Sequence, residues 1–430
     1  MFNIYKYKTK ECDEFLAKLV KRASSPSAEI IKTVTDIIDD VKANGAKALL
    51  AYTEKFDRVK LPPETLEMSR EDLEKQAEKV PDDLKKTICK ACENIRKYHE
   101  KQLRQSIFDT ENTEKLVGMR ITPKYRAGIY VPGGSAAYPS SVLMNCVPAK
   151  VAGVKEIIMT TPLRDGEIPP AVAFSALIAG VDRVFLCGGA QAIAALACGT
   201  ETIPQVDVIA GPGNIYVATA KRLVYGTVDI DMIAGPSEVL AVADESANPE
   251  FAAADLLSQA EHDAIASSLL ITNSEELAKK TADALEVQLA ALPRSEIAGK
   301  SIESYGAAIV CDNMDECFEL ANFVAPEHLE ILTKNPLADL SKVRNAGSIF
   351  VGEYSPEPLG DYFAGPNHVL PTNGTARFAS PLSLDTFIKK SGVICYTRNA
   401  LEEYKDDIIR FAESEGLGAH ANSVRIRFSK

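Results

Sequence analysis

The chain of 430 residues lacks tryptophan and contains only five histidines. It also lacks a long apolar run, since the clearest one, AVAFSALIAGV, is too short to span a bilayer. The first ten residues, MFNIYKYKTK, have no apolar core of the kind found in secretory signals. The net charge of −12 disfavours nucleic acid and anionic membranes as partners. We therefore expect a cytoplasmic protein that binds neither nucleic acid nor membrane.

Cysteine spacings typical of disulfide frameworks or zinc knuckles are missing as well. Nine cysteines are scattered along the chain, and an odd, unpaired set in a large protein indicates reduced intracellular thiols. Cys89 and Cys92 form a C-x-x-C inside a helical stretch, but a zinc knuckle needs a second such pair. Because no histidine neighbours Cys146, Cys311 or Cys317, we interpret them as small buried hydrophobic residues.

Alternating strand and helix patterns predict an α/β fold. Short apolar strands such as KEIIMTT and VDVIAGPG alternate with helices such as PPAVAFSALIAG, and the pattern recurs after Asn248, an expected helix cap followed by Pro249. The first 120 residues or so show mainly helical spacing instead. We expect two Rossmann-like lobes with parallel sheets, consistent with an old duplication, together with a helical N-terminal segment and a small C-terminal tail domain.

The expected division of the chain has four parts. They are an N-terminal extension (1–25), a first α/β lobe (26–129 with 239–380), a second α/β lobe (130–238) and a C-terminal tail (381–430). The tail, about fifty residues long, is too small to hold a core alone and must pack on another body.

Three glycine-rich turns follow predicted strands in the second lobe: YVPGGSAAYPSS, FLCGGAQAIA and IAGPGNIYVA. Glycine lets the backbone approach a ligand, and the helix N-termini that follow offer N–H groups to phosphates. Such turns gather at the carboxyl ends of parallel strands. Any one of them could be purely structural, but three in one lobe favour a nucleotide or dinucleotide site.

The stretch LLSQAEHD suggests a metal site. It places Gln259 and His262 three residues apart on a predicted helix, on one stripe with Asp255. Carboxylate, amide and imidazole groups can all bind a metal. The alternative is a polar helix edge bonded to a neighbouring loop, and this helix alone favours that alternative, because one histidine with one glutamine is far from a standard zinc motif.

The remaining histidines differ in their surroundings. His368 shares a loop rich in glycine and proline with Asp361, and His420 follows Glu415 near the C-terminus. These settings are more typical of a site than of an apolar core. His99, in RKYHEKQ, is expected to be an ordinary exposed residue of a helix.

The stretch APEHLEI places Glu327 and His328 side by side after Pro326. The pair occupies either the first turn of a helix or a loop that leads into a strand. At a helix N-terminus the positive dipole end would keep His328 neutral and able to accept a proton. The adjacent carboxylate would supply a second acid–base group. The alternative is a solvated pair that closes a helix.

Together the motifs resemble the histidinol dehydrogenase family. The resemblance keeps its order over most of the chain but is weak in the first 120 residues. The runs that carry it are IYVPGGSAAYPSSVLMNCVPAKVAGV, AGPGNIYVATAKRLVYGTVDIDMIAGPSEVLAVAD, ADLLSQAEHD, VAPEHLEI, NAGSIFVGEYSPEPLGDYFAGPNHVLPT and AHANSVRIR.

The resemblance implies a zinc-dependent homodimer that oxidises L-histidinol to L-histidine through L-histidinal with two NAD, as the final steps of histidine biosynthesis. It assigns the metal and acid–base residues to the lobe of 26–129 with 239–380, and NAD binding to the lobe of 130–238. Asp255 is not implied as a ligand and is better interpreted as a structural or outer carboxylate. The implied roles are metal binding by Gln259, His262, Asp361 and His420; acid–base catalysis by Glu327 and His328; substrate contact by Ser237, His368 and Glu415 together with the metal ligands and His328; and NAD contact by Tyr130, Gln191 and Asn214.

The resemblance also implies that the C-terminal tail is exchanged in the dimer, so that Glu415 and His420 complete the partner's site. His328 would take the hydroxyl proton of the alcohol, and Glu327 would activate water on the aldehyde. Two alternatives stay open: an enzyme like the aldehyde dehydrogenases with a cysteine nucleophile, and a non-catalytic protein that binds NAD or metal on the same scaffold.

Overall fold

The computed structural model describes residues 2–22, 26–111, 113–133, 138–164 and 166–429. The strands are β1 (Asn3–Lys6), β2 (Glu67–Met68), β3 (Ile107–Asp109), β4 (Lys115–Pro123), β5 (Arg126–Tyr130), β6 (Glu156–Thr160), β7 (Arg183–Phe185), β8 (Val208–Ala210), β9 (Asp229–Ile230), β10 (Glu238–Ala243), β11 (Ser267–Thr272), β12 (Gly306–Val310), β13 (His328–Leu332), β14 (Ser348–Val351) and β15 (Ile388–Tyr396).

Helices connect nearly all of these strands. They are α1 (Lys10–Arg22), α2 (Ala28–Asp57), α3 (Arg70–Glu78), α4 (Asp82–Glu100), α5 (Pro139–Ala152), α6 (Pro170–Ala179), α7 (Gly189–Cys198), α8 (Ile215–Val224), α9 (Pro249–Ala260), α10 (Glu275–Ala291), α11 (Ser295–Tyr305), α12 (Met314–Val324), α13 (Pro336–Asp339), α14 (Glu357–Tyr362), α15 (Arg398–Ser414) and α16 (Gly418–Arg425). Within the described ranges, none is long and apolar enough to cross a membrane.

One parallel sheet has the strand order β1–β12–β11–β10–β13–β14. Every residue of its central strands β10 and β11 is buried, as expected for a parallel sheet covered on both faces. The side chain of Asn248 caps α9, and Pro249 is the first residue of that helix, as predicted. Strand β1 pairs with β12, so the first residues belong to this sheet and do not form a separate extension.

The other large sheet has the order β2–β7–β6–β5–β8–β9 and is parallel except at its β2 edge. Helix α2 packs on α7 and α8, α3 packs on α6, and α4 packs on α5 and α6. Residues 28–100 therefore pack with this sheet. The expected division was wrong here, because it assigned residues 26–129 to the lobe of residues 239–380. Buried α2 residues such as Val34 and Leu49 join the same apolar cluster as Ile193 of α7. Helical periodicity shows that a helix has an apolar face, but it does not identify the sheet that the face meets.

Residues 103–123 and 388–430 form a compact unit of their own, distinct from 1–102 and 124–387. Its core element is the antiparallel pair of β15 with β4, to which β3 adds a third strand. The expected tail, 381–430, therefore begins a few residues too early and lacks the internal segment that supplies β3 and β4. Residues 103–123 lie far from the tail in the sequence, and only the pairing of β4 with β15 shows that they belong to the same unit.

Candidate active site

A cavity of about 540 Å³ lies at the ends of several strands of the β2–β9 sheet. Tyr130 ends β5, Gln191 lies in the first turn of α7, and Asn214 caps α8. All three line the cavity, whose volume is in the range of small-molecule sites. The structure therefore brings the three predicted NAD contacts together at the carboxyl ends of the strands.

Two of these side chains are buried in the wall of the cavity. The Tyr130 hydroxyl accepts a hydrogen bond from the backbone N–H of Gly189 at 3.2 Å, and burial raises the pKa of Tyr130 to about 12, so the phenol stays protonated. The amide nitrogen of Gln191 is buried and has no hydrogen-bond partner among the described residues. A buried amide donor without a partner is a candidate ligand contact.

The turn after β8 requires glycine at position 211. Gly211 has φ of +123°, and a Cβ there would lie 2.1 Å from the carbonyl oxygen of Tyr130. Its N–H donates to Asp231 at 2.8 Å, and Lys221 Nζ donates to its carbonyl oxygen at 2.9 Å. Lys221 and Asp231 also form a buried ion pair, which holds the turn beside the cavity. Of the first glycine-rich turn, residues 134–137 lie outside the described residues.

Sequence reasoning missed one wall of the cavity, which is formed by four residues of α2. The Asp57 carboxylate accepts a hydrogen bond from the N–H of Gly188 at 3.2 Å, and burial raises its pKa. No sequence signal could have assigned this helix to the cavity, since its position depends on the packing described above. The four residues are Thr33, Ile37, Phe56 and Asp57.

Glu327 and His328 lie where the chain enters β13, so the strand interpretation is right and the helix interpretation is wrong. The backbone of Glu238 holds both side chains. Its N–H donates to Glu327 Oε2 at 3.0 Å, and its carbonyl oxygen accepts from His328 Nδ1 at 2.9 Å. Because a carbonyl oxygen can only accept, Nδ1 carries the proton and Nε2 keeps a free lone pair.

Burial, not a helix dipole, keeps His328 neutral. It lowers the pKa of His328 to about 4. Its Nε2 has no hydrogen-bond partner among the described residues and lies 3.9 Å from a carboxylate oxygen of Glu357 and from one of Asp361. Burial, followed by repulsion from Glu238, raises the pKa of Glu327 well above its usual range. The two neighbours are therefore a neutral base and a carboxyl of increased basicity.

A group of metal-capable side chains lies beside this pair. His262, Glu357 and Asp361 each offer one ligand atom, and the three atoms lie within 4.8 Å of one another. Asp361 lies on the short helix α14 and not in a loop as expected, while His262 follows the end of α9. The side-chain oxygen of Gln259, in the last turn of α9, is buried without a hydrogen-bond partner among the described residues.

The donor set fits a divalent cation that accepts both nitrogen and oxygen ligands. Burial, reinforced by nearby carboxylates, raises the pKa of Glu357 to about 8, and burial raises that of Asp361 to about 6. A cation bound between these carboxyls would hold them ionised. Burial raises the pKa of Asp255 to about 6 as well, and this carboxyl hydrogen-bonds Glu330. That contact agrees with the interpretation of Asp255 as structural.

Sequence reasoning did not find Glu357. Its N–H donates to Glu330 Oε1 at 3.0 Å, and its Oε2 accepts from Ser258 Oγ at 3.0 Å. Its Oε1 is left without a hydrogen-bond partner among the described residues. The sequence signal was available, because Glu357 and Asp361 are four residues apart and would share a face of any helix there.

The other predicted site residues divide between the two units. His368 donates from Nδ1 to the carbonyl oxygen of Asp361 at 3.1 Å, and burial lowers its pKa to about 4. Ser237 directly precedes β10, next to Glu238. Glu415 and His420 belong to the unit of 103–123 and 388–430, where both are exposed.

The expectation for His99 is wrong, because this residue is fully buried. Its Nδ1 donates to the carbonyl oxygen of Ile95 at 2.8 Å. The expectation for the cysteines is correct, since Cys146, Cys311 and Cys317 are buried. Burial raises the pKa of Cys146, which disfavours the thiolate that a cysteine nucleophile needs.

Comparison with known proteins now decides between the alternatives. The model of the family described as "Histidinol dehydrogenase" matches residues 20–428. The chain belongs to the histidinol dehydrogenase family. It is 54% identical over 417 residues to a histidinol dehydrogenase of Clostridium acetobutylicum, covering 97% of this chain and 96% of that one. A relative of the same name from Carboxydothermus hydrogenoformans is 52% identical over 97% of this chain and 98% of its own.

A solved structure agrees with the sequence comparisons. The crystal structure of a histidinol dehydrogenase from Elizabethkingia anophelis has a TM-score of 0.92 and 38% identity, covering 99% of this chain and 98% of that chain. Membership of the histidinol dehydrogenase family makes the chain an NAD-dependent oxidoreductase of the final steps of histidine biosynthesis.

Proposed function

We propose that the chain oxidises L-histidinol to L-histidine through L-histidinal at one site built around Glu327, His328 and the metal-capable group. The observation that supports this most is the free lone pair of His328 Nε2, which lies 3.9 Å from carboxylates of that group. A base and a cation site side by side suit a substrate whose hydroxyl and nitrogens lie close together. The family membership supplies the substrate class.

In the first half-reaction His328 takes the hydroxyl proton on Nε2. The cavity lined by Tyr130, Gln191 and Asn214 would hold NAD, which would supply the hydride acceptor for each half-reaction. The hydrogen bond from Nδ1 to Glu238 O stabilises the imidazolium that forms. His328 can accept the proton because its lowered pKa keeps it neutral before the reaction.

In the second half-reaction Glu327 takes a proton from water as the water oxygen adds to the aldehyde carbon. The addition leaves the anion of the hydrate, and loss of a hydride from its carbon leaves the carboxylic acid. Glu327 Oε2 is held by the N–H of Glu238, which leaves Oε1 to face the water. A carboxyl with a raised pKa is a stronger base than an ordinary one, so burial assists this step.

The proposed metal is zinc, bound by Gln259, His262, Asp361 and His420. Bound there, it would orient the amine and imidazole nitrogens of the substrate. Glu357 adds a carboxylate next to His262 and Asp361. His368 and Ser237 are proposed as further substrate contacts, together with Glu415, whose charge suits a cationic substrate.

We also propose a homodimer in which Glu415 and His420 complete the partner's site. The unit that carries them exposes several large apolar side chains, as expected of a surface that a second chain covers. They include Ile394, Phe411 and Ile426. The cytoplasmic location expected from the sequence stays a prediction.

The experiment that tests the metal assignment compares His262→Asn with Asp263→Asn. We expect His262→Asn to lose zinc and L-histidinol-dependent NADH formation, because a ligand is removed. Asp263→Asn should keep both, since its Oδ1 accepts from the N–H of Ile265, which an asparagine can do as well. Elemental analysis and NADH absorbance are the readouts. Full zinc content with continued turnover in His262→Asn would show that the ligand assignment is wrong.

A further inference from the structure

The last residue of α1, Arg22, ends in the interior beside the proposed catalytic pair. Its side chain is only 2% exposed, and its Nη2 donates to Glu238 Oε1 at 2.5 Å. Its Nη1 donates to the carbonyl oxygen of Ile265 at 2.8 Å. A guanidinium is seldom buried to this extent unless a carboxylate balances its charge.

Glu238 connects four parts of the structure. Its carboxylate binds Arg22 through Oε1 and accepts a hydrogen bond from the N–H of Asn373 at 3.2 Å through Oε2. Its backbone N–H and carbonyl group hold Glu327 and His328. Helix α1, strand β10, the entry to β13 and the chain around residue 373 therefore meet at one residue.

We propose that Arg22 and Glu238 are positioning residues for the catalytic pair. The ion pair fixes the side chain of Glu238, and the fixed residue presents the N–H that aims Glu327 and the carbonyl oxygen that sets the tautomer of His328. The inference rests on the proposed function of that pair. It also gives the N-terminal helix a role in the chemistry, although that helix carries none of the proposed catalytic residues.

Loss of Arg22 would leave the Glu238 carboxyl without its ion-pair partner. Burial raises the pKa of Glu238, and Arg22 opposes that rise more than any other group. Without the guanidinium, the carboxyl becomes neutral or moves towards water, and the start of β10 moves with it. Small displacements of general acid–base groups reduce rates strongly, because proton transfer needs close alignment.

The experiment compares Arg22→Ala with Lys18→Ala in the full-length enzyme. Lys18 lies on the same helix and donates to the carbonyl oxygen of Ser304 at 2.7 Å. Like Arg22 it lies over the ring of Tyr305, but among the described residues it does not pair with Glu238. We expect Arg22→Ala to lower kcat for L-histidinol by roughly 10- to 100-fold, with KM and zinc content near wild type. Lys18→Ala should keep kcat near wild type.

Two further variants separate positioning from simple loss of stability. Arg22→Lys should recover part of kcat, since it restores the charge beside Glu238 but not the hydrogen bond that Arg22 donates to the carbonyl oxygen of Ile265. Glu238→Gln removes the ion pair with little change in shape, and should lower kcat without raising KM. If Arg22→Ala does not fold, Glu238→Gln decides the question. Wild-type kcat in Glu238→Gln, or equal kcat in Arg22→Ala and Lys18→Ala, would overturn the proposal.

The His328→Asn variant in the same assay separates this inference from the proposed function. Continued turnover by His328→Asn would mean that the catalytic assignment itself has failed. An inactive His328→Asn, with both Arg22→Ala and Glu238→Gln at wild-type kcat, would overturn only the positioning role of the ion pair.

Discussion

At the scale of single residues, the same backbone unit gives Glu327 and His328 different roles. The N–H of Glu238 can only donate and therefore holds a carboxylate oxygen, while its carbonyl group can only accept and therefore holds a protonated ring nitrogen. The sequence predicted that the two residues form a pair and that His328 is neutral. It gave the wrong cause for the neutrality, because burial in a strand-lined interior replaces the helix dipole.

The first prediction separates the two roles. His328→Asn should lower the rate of alcohol oxidation by about 10²–10⁴-fold, because it removes the neutral base. Glu327→Gln should slow aldehyde oxidation more than alcohol oxidation, because only the aldehyde half needs activated water. Stopped-flow absorbance of NADH, with L-histidinol and L-histidinal supplied separately, measures both halves. Equal losses in both halves for both variants would contradict the division of roles.

A second prediction concerns His99, which sequence reasoning placed at the surface. The buried residues Ile88, Ala91, Cys92 and Ile95 precede it at helical spacing on α4, so the pattern to find it was present. Burial lowers the pKa of His99 below its ordinary 6.5. As pH falls through this value, the unfolded chain binds a proton that the folded chain does not bind, so the contribution of His99 to stability falls.

The loss of stability in His99→Leu should therefore be smaller at about pH 5.5 than at about pH 7.5. Differences in melting temperature between wild type and variant give the measurement, and comparing differences cancels the titration of the other buried groups. A difference in melting temperature between wild type and variant that stays constant or grows on acidification would show that His99 is not buried in its neutral form.

At the scale of elements, the sequence predicted many strands and helices of the two large sheets, such as β6 and β8, but it did not predict the central strand β10. The predicted elements carry local signals, namely short apolar strands, proline-opened helices and glycine turns. Short pairings were missed, such as β2 with β7, because two residues show no periodicity. The wall that α2 contributes to the proposed NAD cavity was missed because one apolar helix face looks like another in the sequence.

The third prediction tests the turn after β8. Gly211→Ala should weaken NAD binding, because its Cβ would collide with the carbonyl oxygen of Tyr130, a wall of the cavity. Gly226→Ala is the matched control, since Gly226 also has a positive φ, of +102°, but nothing within 4 Å of its Cβ position. The control should cost roughly 1 kcal/mol of stability and leave NAD binding intact. Titration of NADH fluorescence would distinguish the two, and equal affinities would contradict the account of this turn.

At the scale of the whole molecule, the sequence division failed where segments remote in sequence share one sheet. Strand β1 joins the sheet that contains β10, and residues 103–123 supply two strands to the unit of 388–430. Neither connection has a local signal. The exchange of the C-terminal tail between chains came from the family resemblance and stays a prediction.

The fourth prediction tests this exchange. His262→Asn and His420→Asn chains, each inactive alone, should regain activity when unfolded, mixed and refolded together. Half of the random dimers would be mixed and each would hold one intact site, so recovery should approach roughly a quarter of wild type. Refolding each variant alone is the control. Persistent inactivity in a mixture shown to contain mixed dimers would defeat the shared-site proposal.

The central claim is that one metal-dependent site oxidises the same substrate twice. The most direct measurement is the yield of NADH per L-histidinol at completion, before and after treatment with a chelator. The account predicts two NADH and one L-histidine per L-histidinol, no NADH after chelation, and recovery on adding zinc. One NADH with accumulation of L-histidinal, or a full yield that chelation leaves unchanged, would contradict it.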